Sequence, residues 1–461
     1  MADLFTSLTT AARALDAQRM GLDVAGQNIA NVNTPGYSRR VLDLSAVAPY
    51  GNASAGSGVD ITGIRSLRDR LLDGRVQREV PAETREGAVA SALGIVEVAL
   101  GRPGHSLDAN LEEFFDAFAN LSQDPTSANA RREVVLQGGT LAEAFRDMAG
   151  RLEQARLDAD RNVRALAEDV NSLTARIAAL NTSIASVPDP TATLHARDEQ
   201  SNLIRQLAEL VEISVLDRTE GGVDISVGQG RPLVVGDTVY DLTVTSTAPL
   251  GLAAFSVNGT TITSEIDSGK LGGFLYVRDT AIPAYMATLD DIAFEVADQV
   301  NTLHTAGFDQ TGAAAGDFFA FSTAPVGTAG AASYLIMDAA VAADPRLVAA
   351  GDAALAGNNE TARAIAGLRD NRVLNGNTST LADAWAQLVY RVGRDTKSAV
   401  DERDSRAAIV SQVDALRDEV AGVSLDEEAM HLLKFQRAYE ANARFFAIID
   451  DTLQMLLNIA R

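Results

Sequence analysis

The chain has 461 residues, 46% of them hydrophobic, a formal net charge of −23 and no cysteine. That length accommodates about three domains with ample buried core. The acidic balance excludes a nucleic-acid or anionic-membrane partner, both of which need a basic face, and the missing cysteines exclude disulfides and thiolate chemistry.

The first 20 residues have no basic leader and no unbroken apolar run, which excludes a secretory signal peptide. They begin instead a stripe at heptad spacing, Leu4, Leu8, Ala11, Leu15, Gln18, Leu22, Ala25 and Ile29, which predicts a helix with one apolar seam. The stretch NIANVNTPGYSRR (28–40) ends it: Thr34 precedes a proline and leaves the helical region, and Pro35-Gly36 suits the centre of a type II turn. From Tyr37 the alternation of side chains predicts an extended segment. Further on, Ser106 is placed to cap a helix whose face is Leu107, Leu111, Phe114, Phe115 and Phe118, stopped by Asp124-Pro125.

A longer pattern runs from Leu141 through Phe145, Met148, Leu152, Ala155, Ala159, Asn162 and Leu166. It takes one extra step of four to Val170 and continues through Leu173, Ile177, Leu180 and Ile184, the signature of a stutter in a long helix. Pro188 and Pro190 close it, and 196–213 returns as another helix. Residues 212–277 change character, with alternation at Val223, Ile225 and Val227 and a tight-turn Asn258-Gly259. A helix follows over roughly 279–306, then loops and short strands over 311–357. Leu381, Trp385, Leu388, Val392, Ala399, Ile409, Val413, Leu416 and Val420 mark another long helix. The chain ends on a second heptad stripe: Leu425, Glu428, Leu432, Phe435, Tyr439, Asn442, Phe446, Ile449, Leu453 and Leu456. Asp450 and Asp451 interrupt its apolar end, so it is no membrane span.

These elements describe a mainly α protein with a β-rich insertion. The terminal helices (1–45 plus 422–461) form a coiled-coil-like inner domain, a long-helix bundle occupies 46–211 plus 358–421, and an outer β-rich lobe occupies 212–357, the 279–306 helix fitting either of the last two. Residues 1–45 carry equal numbers of acids and bases and residues 425–461 are only slightly acidic, so the two ends can crowd together. Single-seam helices at chain ends bury little surface unless they find partners, and are expected to order on assembly.

No catalytic, cofactor or metal site is expected. The four histidines (105, 195, 304, 431) lack ligand spacing and are read as surface residues. VGQGRP at 227–232 opens no helix, so it is not a dinucleotide fingerprint, and Asp309, Thr311 and Asp317 are read as a turn. The adjacent pairs Asp290-Asp291 and Glu427-Glu428 are read as solvated helix faces.

The stretch GQNIANVNTPGYSRR (26–40) closely resembles the N-terminal signature of the bacterial flagellar axial proteins, the rod, hook and hook-associated family. GVSLDEEAMHLLKFQRAYEANARFFAIIDDTLQMLL (422–457) is similar to that family's terminal helix. Internal words at 56–79, 196–215 and 268–279 resemble the hook-associated branch at the hook–filament junction; the alternative is a hook or rod subunit. The resemblance implies a structural, non-enzymatic subunit exported by the flagellar type III route and secreted to the flagellum. It further implies a ring of identical copies between hook subunits and a second junction protein on the filament side. The implied assembly interface is the two seams, Leu8, Leu15, Leu22 and Ile29 with Leu432, Phe435, Tyr439, Phe446, Ile449, Leu453 and Leu456. The turn motif Asn33, Thr34, Pro35, Gly36 and Tyr37 sends the chain outward, with Gly422 as its partner break. A cytoplasmic export chaperone is implied on the Phe435, Tyr439, Phe446 and Leu453 stripe.

Overall fold

The computed structural model describes residues 2–48, 58–101, 107–219, 221–374 and 376–459. Ser106, expected to cap a helix, His105 and the side chain of Leu4 lie outside the described residues.

Helix α1 (Ala2–Ala30) leads through the turn into a two-stranded ribbon, β1 (Arg40–Ala46) and β2 (Val59–Ser66), then α2 (Arg70–Leu100), α3 (Leu107–Gln123), α4 (Ala128–Ser186) and α5 (Leu194–Leu210). Seven strands follow: β3 (Ile213–Asp217), β4 (Val223–Val227), β5 (Arg231–Val235), β6 (Thr238–Val239), β7 (Leu242–Thr247), β8 (Leu252–Val257) and β9 (Thr260–Thr261). They form two antiparallel meanders, β3-β4-β5-β6 and β7-β8-β9. Asn258 and Gly259 both have positive φ, the geometry of the expected tight hairpin turn. The chain continues through α6 (Gly269–Tyr276), a π turn at Val277–Ala281, α7 (Ile282–Thr305), β10 (Phe319–Phe321), α8 (Ala331–Tyr334), β11 (Leu335–Met337), α9 (Ala339–Ala343) and α10 (Glu360–Gly367). It ends in α11 (Leu381–Ala421) and α12 (Leu425–Ile459).

At 1.5 Å per residue α4 is about 88 Å long. Ser127 caps it by accepting from the Ala130 N–H. Its length carries it through two cores. From Val134 to Ala155 it packs with α3, α7 and α11 around Phe114, Phe118, Phe318 and Phe319, and from Val163 to Ala178 with α5 and the sheets around Phe255. The buried positions step by four from Ala155 to Ala159, Val163 and Ala167, so the stutter sits at the junction of the cores. There the seam shifts by one residue from the sequence pattern: Ala167 and Asn181 are buried and Leu166 and Leu180 only partly so. Asn181 tolerates burial because its amide meets Val223 N and O, Gly236 O and Gln200 Nε2.

Between the two cores Asp160 accepts from Arg278 Nη1 (2.6 Å), Arg164 Nε (2.7 Å) and the Ala253 N–H (2.7 Å). Burial alone would raise its pKa, but these donors hold the carboxyl below the usual range. The π turn presents Arg278 to this site, so helix, sheet and turn meet on one carboxylate.

Four expectations need correction. Helix α2 was not expected as an element, because Pro81 sits inside it and its buried face changes partner there. Val76 and Val80 meet Val410 and Val413 of α11, whereas Val89, Leu93 and Val96 enter the main core. The strands of the 212–357 segment end by Thr261 apart from the short β10–β11 pair, and Phe318, Phe319, Leu335 and Val348 fill the helical core. Gly138 of α4 admits the Phe318 ring, which would lie 2.7 Å from a Cβ there.

Asp290 is not a solvated acid: it is buried and accepts from the Gly330 and Ala332 N–H groups at 2.8 and 2.9 Å. Adjacent helix residues point about 100° apart, so one acid of such a pair can face inward while the other meets water. His304 is likewise fully buried, its Nδ1 2.7 Å from Gly316 O and its Nε2 accepting from Ala349 N at 2.9 Å. One ring nitrogen donates and the other accepts, which is the neutral tautomer.

Burial holds the His304 pKa below its ordinary value. Below about pH 6.5 the unfolded chain therefore binds a proton that the folded chain refuses. Stability is full above that pH and falls as pH drops toward the folded-state value. Thermal melts at about pH 7.5 and 5.5 should show this loss, and His304→Gln, which still offers one donor and one acceptor, should reduce it. Equal losses in both proteins would refute the assignment.

Candidate assembly interface

Helices α1 and α12 pack antiparallel: Gly21 lies against Phe435, and Arg39, beyond the end of α1, reaches Glu427 and Glu428 at the start of α12. Small residues make the α1 seam. Ala11, Ala17, Val24, Ala25 and Asn28 are buried, and a Cβ at Gly21 would stand 2.6 Å from the Phe435 ring. The two terminal helices, expected to order only on assembly, thus find each other within one chain, because close backbone approach compensates for the lack of large seam residues.

The predicted leucine stripe lies one position off this contact. Leu8, Leu15, Leu22 and Ile29 are half-buried and stand beside the seam. On α12, Ile449 is buried, Leu432, Phe435, Phe446 and Leu453 are half-buried, and Tyr439 and Leu456 are exposed at 39% and 43%. Glu428, read from sequence as part of a solvated pair, is buried against Arg39 Nε at 2.7 Å, while Glu427 takes Arg39 Nη1 at 2.7 Å.

A second apolar face was missed. Met430, Leu433, Phe445, Ile448 and Met455 are 47–64% exposed, and at 100° per residue they fall within about 120° on the side of α12 away from its seam. The signal was present in their helical spacing, with steps of 3, 12, 3 and 7 residues, but the longer seam stripe masked it. A helix apolar on two sides has one side covered within the chain and one that water should not keep.

The turn joins this pair to the bundle. The Tyr37 N–H bonds Thr34 O (3.2 Å) and Gly36 has φ 79°, as the Pro-Gly turn requires. A Cβ at Gly36 would also stand 3.2 Å from Asn202 of α5. Asn33, Thr34 and Pro35 are exposed at the tip. The organising residue is Asn28, which in the sequence reads as one more polar residue of the turn-rich stretch. It is 1% exposed; its Oδ1 accepts from Arg40 N (2.9 Å) and the Tyr37 hydroxyl (2.8 Å), and its Nδ2 donates to Arg40 O (2.9 Å). Burial raises the Tyr37 pKa, opposed by the Arg40 guanidinium stacked 5.1 Å from the ring. Arg40 and Arg68 share Asp198 of α5 (3.4 and 2.6 Å), and the Arg39 N–H bonds Ala421 O at the end of α11. The two consecutive arginines therefore point to different partners, one to the terminal helix and one to the bundle. Gly422 follows, its N–H on Asp418 O, where a Cβ would stand 2.3 Å from that oxygen.

The sequence signature of the flagellar hook-associated protein FlgK helical domain matches residues 93–319. Those of the flagella basal body rod protein and of the flagellar basal body rod FlgEFG protein C-terminal segment match 8–37 and 416–459, the two ends that form the inner pair. Flagellar hook-associated protein 1 of Bacillus subtilis (strain 168) is 28% identical over 503 residues, covering 99% of both chains. This chain is similar to the flagellar hook-associated proteins along its whole length. The hook-associated protein 1 of Escherichia coli (strain K12) is 23% identical over 549 residues, covering 98% of this chain and 99% of that one. The solved structure of the flagellar hook junction protein FlgK from Burkholderia pseudomallei shares the fold, with a TM-score of 0.68 at 14% identity over 75% of this chain and all of that one. The family is one of structural flagellar proteins rather than enzymes.

Proposed function

We propose that this chain is the subunit of the junction between hook and filament, assembling as a ring of identical copies through its terminal helices. One side of the ring meets hook subunits and the other a second junction protein. The observation that carries this reading is the outward apolar face of α12 (Met430, Leu433, Phe445, Ile448 and Met455), which leaves large side chains in water unless a neighbour covers them. The half-buried Leu8, Leu15, Leu22 and Ile29 beside the seam extend that surface. Export by the flagellar type III route and a cytoplasmic chaperone on α12 before assembly accord with the same face, since an amphipathic helix offers apolar anchors to a groove.

Electron microscopy of a strain lacking the chain tests the reading. Finished hooks without filaments are expected; loss of the hook itself would assign the chain to the hook or rod. The wild-type gene should restore filaments, whereas Leu433→Asp with Ile448→Asp should not, while leaving the melting temperature of the purified chain unchanged. Normal filaments with that double variant would refute the interface.

A further inference from the structure

A groove of about 820 Å³ lies between the end of β2, the start of α2, helix α5 and strand β3. Two strand edges face it. Strand β3 is the outer strand of its sheet, and the bond from Arg218 N to Gly222 O sets the register so that Val215 and Asp217 turn their N–H and C=O groups away from β4. On the other wall Ser66 stands opposite Arg40, whose N–H and C=O are both taken by Asn28, so the backbone groups of Ser66 point away from β1. Among the described residues the buried Ser66 hydroxyl meets no partner. An open strand edge is ordinarily blunted by a bulge, a proline or a cover, and among the described residues β3 has none of these on this side.

The groove also gathers arginines in a strongly acidic protein. Arg65, Arg68, Arg70 and Arg197 line it with Asp73, Asp198 and Asp217; Arg65 is taken by Asp43, Asp198 is shared by Arg68 and Arg40, and Asp73 is held by Arg417, which leaves Arg70 and Arg197 for a partner. Among the described residues Arg197 bonds the Thr193 hydroxyl and no carboxylate, and the Arg70 side chain is 88% exposed, 3.5 Å from Asp217. Leu216 stands 69% exposed beside them.

We infer that this groove receives an extended, carboxylate-bearing segment of a neighbouring copy of this chain, which adds a strand between β2 and β3. The backbone edges supply the main-chain bonds, Arg70 and Arg197 select acidic side chains, and Leu216 packs against the residue between them. A second copy is the occupant that charge complementarity favours, because a chain of net charge −23 offers many acidic segments to Arg70 and Arg197. The inference rests on the assembly proposed above, and restoration of filaments by the wild-type gene tests that reading separately.

The chain has no native cysteine, so Leu216→Cys carries a unique handle for a benzophenone-maleimide crosslinker. In flagella assembled from this variant, mass spectrometry should map the crosslink to an acidic, extended stretch of a second copy. A crosslink to a hook subunit or a distal protein, or none at all, overturns the inference. Val215→Pro removes an N–H that the sheet does not use, and should leave the melting temperature of the purified chain unchanged while reducing filaments per cell at least roughly tenfold, as expected for lost intermolecular bonds. Should that variant not fold, Arg70→Glu with Arg197→Glu decides: filaments reduced likewise support the slot, and normal filaments refute it.

Discussion

Asp160→Ala is expected to destabilise the purified chain by about 3 kcal/mol, the lower end of the cost of breaking a buried ion pair. The Arg278 side chain is 3% exposed and would keep only Asp279 and Ala253 O, while the Ala253 N–H would lose its acceptor altogether. The loss falls where α4 passes from one core to the other, so both cores should loosen together. Asp279→Ala removes a carboxylate whose side chain is 40% exposed, and water can replace it; its cost should stay below about 1 kcal/mol. Urea unfolding of the two variants checks the contrast. A loss below about 1 kcal/mol for Asp160→Ala would show that the cores are held by apolar packing alone. Arg278→Met added to Asp160→Ala should recover part of the stability, because it removes the stranded charge.

Asn28→Leu should have the next largest effect, and it should be confined to one end of the molecule. The side chain satisfies the N–H and C=O of Arg40 and the Tyr37 hydroxyl. Leucine has nearly the same size and can offer none of these bonds. Each stranded group costs about 1–3 kcal/mol when it stays buried. Tyr37 and Arg40 are only half-buried, so water can reach part of the site, and about 2–4 kcal/mol in total is expected. Amide exchange should rise in β1, the turn and α1, while α3, α7 and the middle of α4 remain protected. Uniform loss of protection across the chain would mean that the inner pair and the bundle unfold as one unit. Asn28→Asp keeps the acceptor for Arg40 N and Tyr37, but sets a carboxylate against Arg40 O, and should fall between the two.

Much of the architecture is legible in local pattern. The heptad steps of both ends, the stutter in α4, the Pro35-Gly36 stop and the Asn258-Gly259 hairpin each follow from spacing or backbone preference that a few neighbouring residues impose. The words around Asn28 and Glu428 also carried the family, because a signature can be recognised without knowing what its residues touch. What they touch was not legible. Asn28 reads as one more polar residue in a turn-rich stretch until Arg40 folds back onto it, and Glu428 reads as a surface acid until Arg39, 389 residues away along the chain, arrives beside it.

The same reason governs the other differences. Whether His304 or Asp290 is buried depends on which backbone groups the loops at 316, 330–332 and 349 bring to them, and no periodicity encodes that meeting. Phe318 enters the helical core because Gly138 leaves it room on α4, and Phe319 follows it in. The sequence by itself determined the long helices other than α2, the turns, the acidic balance and the family resemblance, since local sterics and apolar periodicity act over a few residues. The tertiary structure alone decided which face of α1 meets α12, which polar groups are buried and which apolar face is left over. Those outcomes are set by close approach and hydrogen-bond partners supplied from distant parts of the chain.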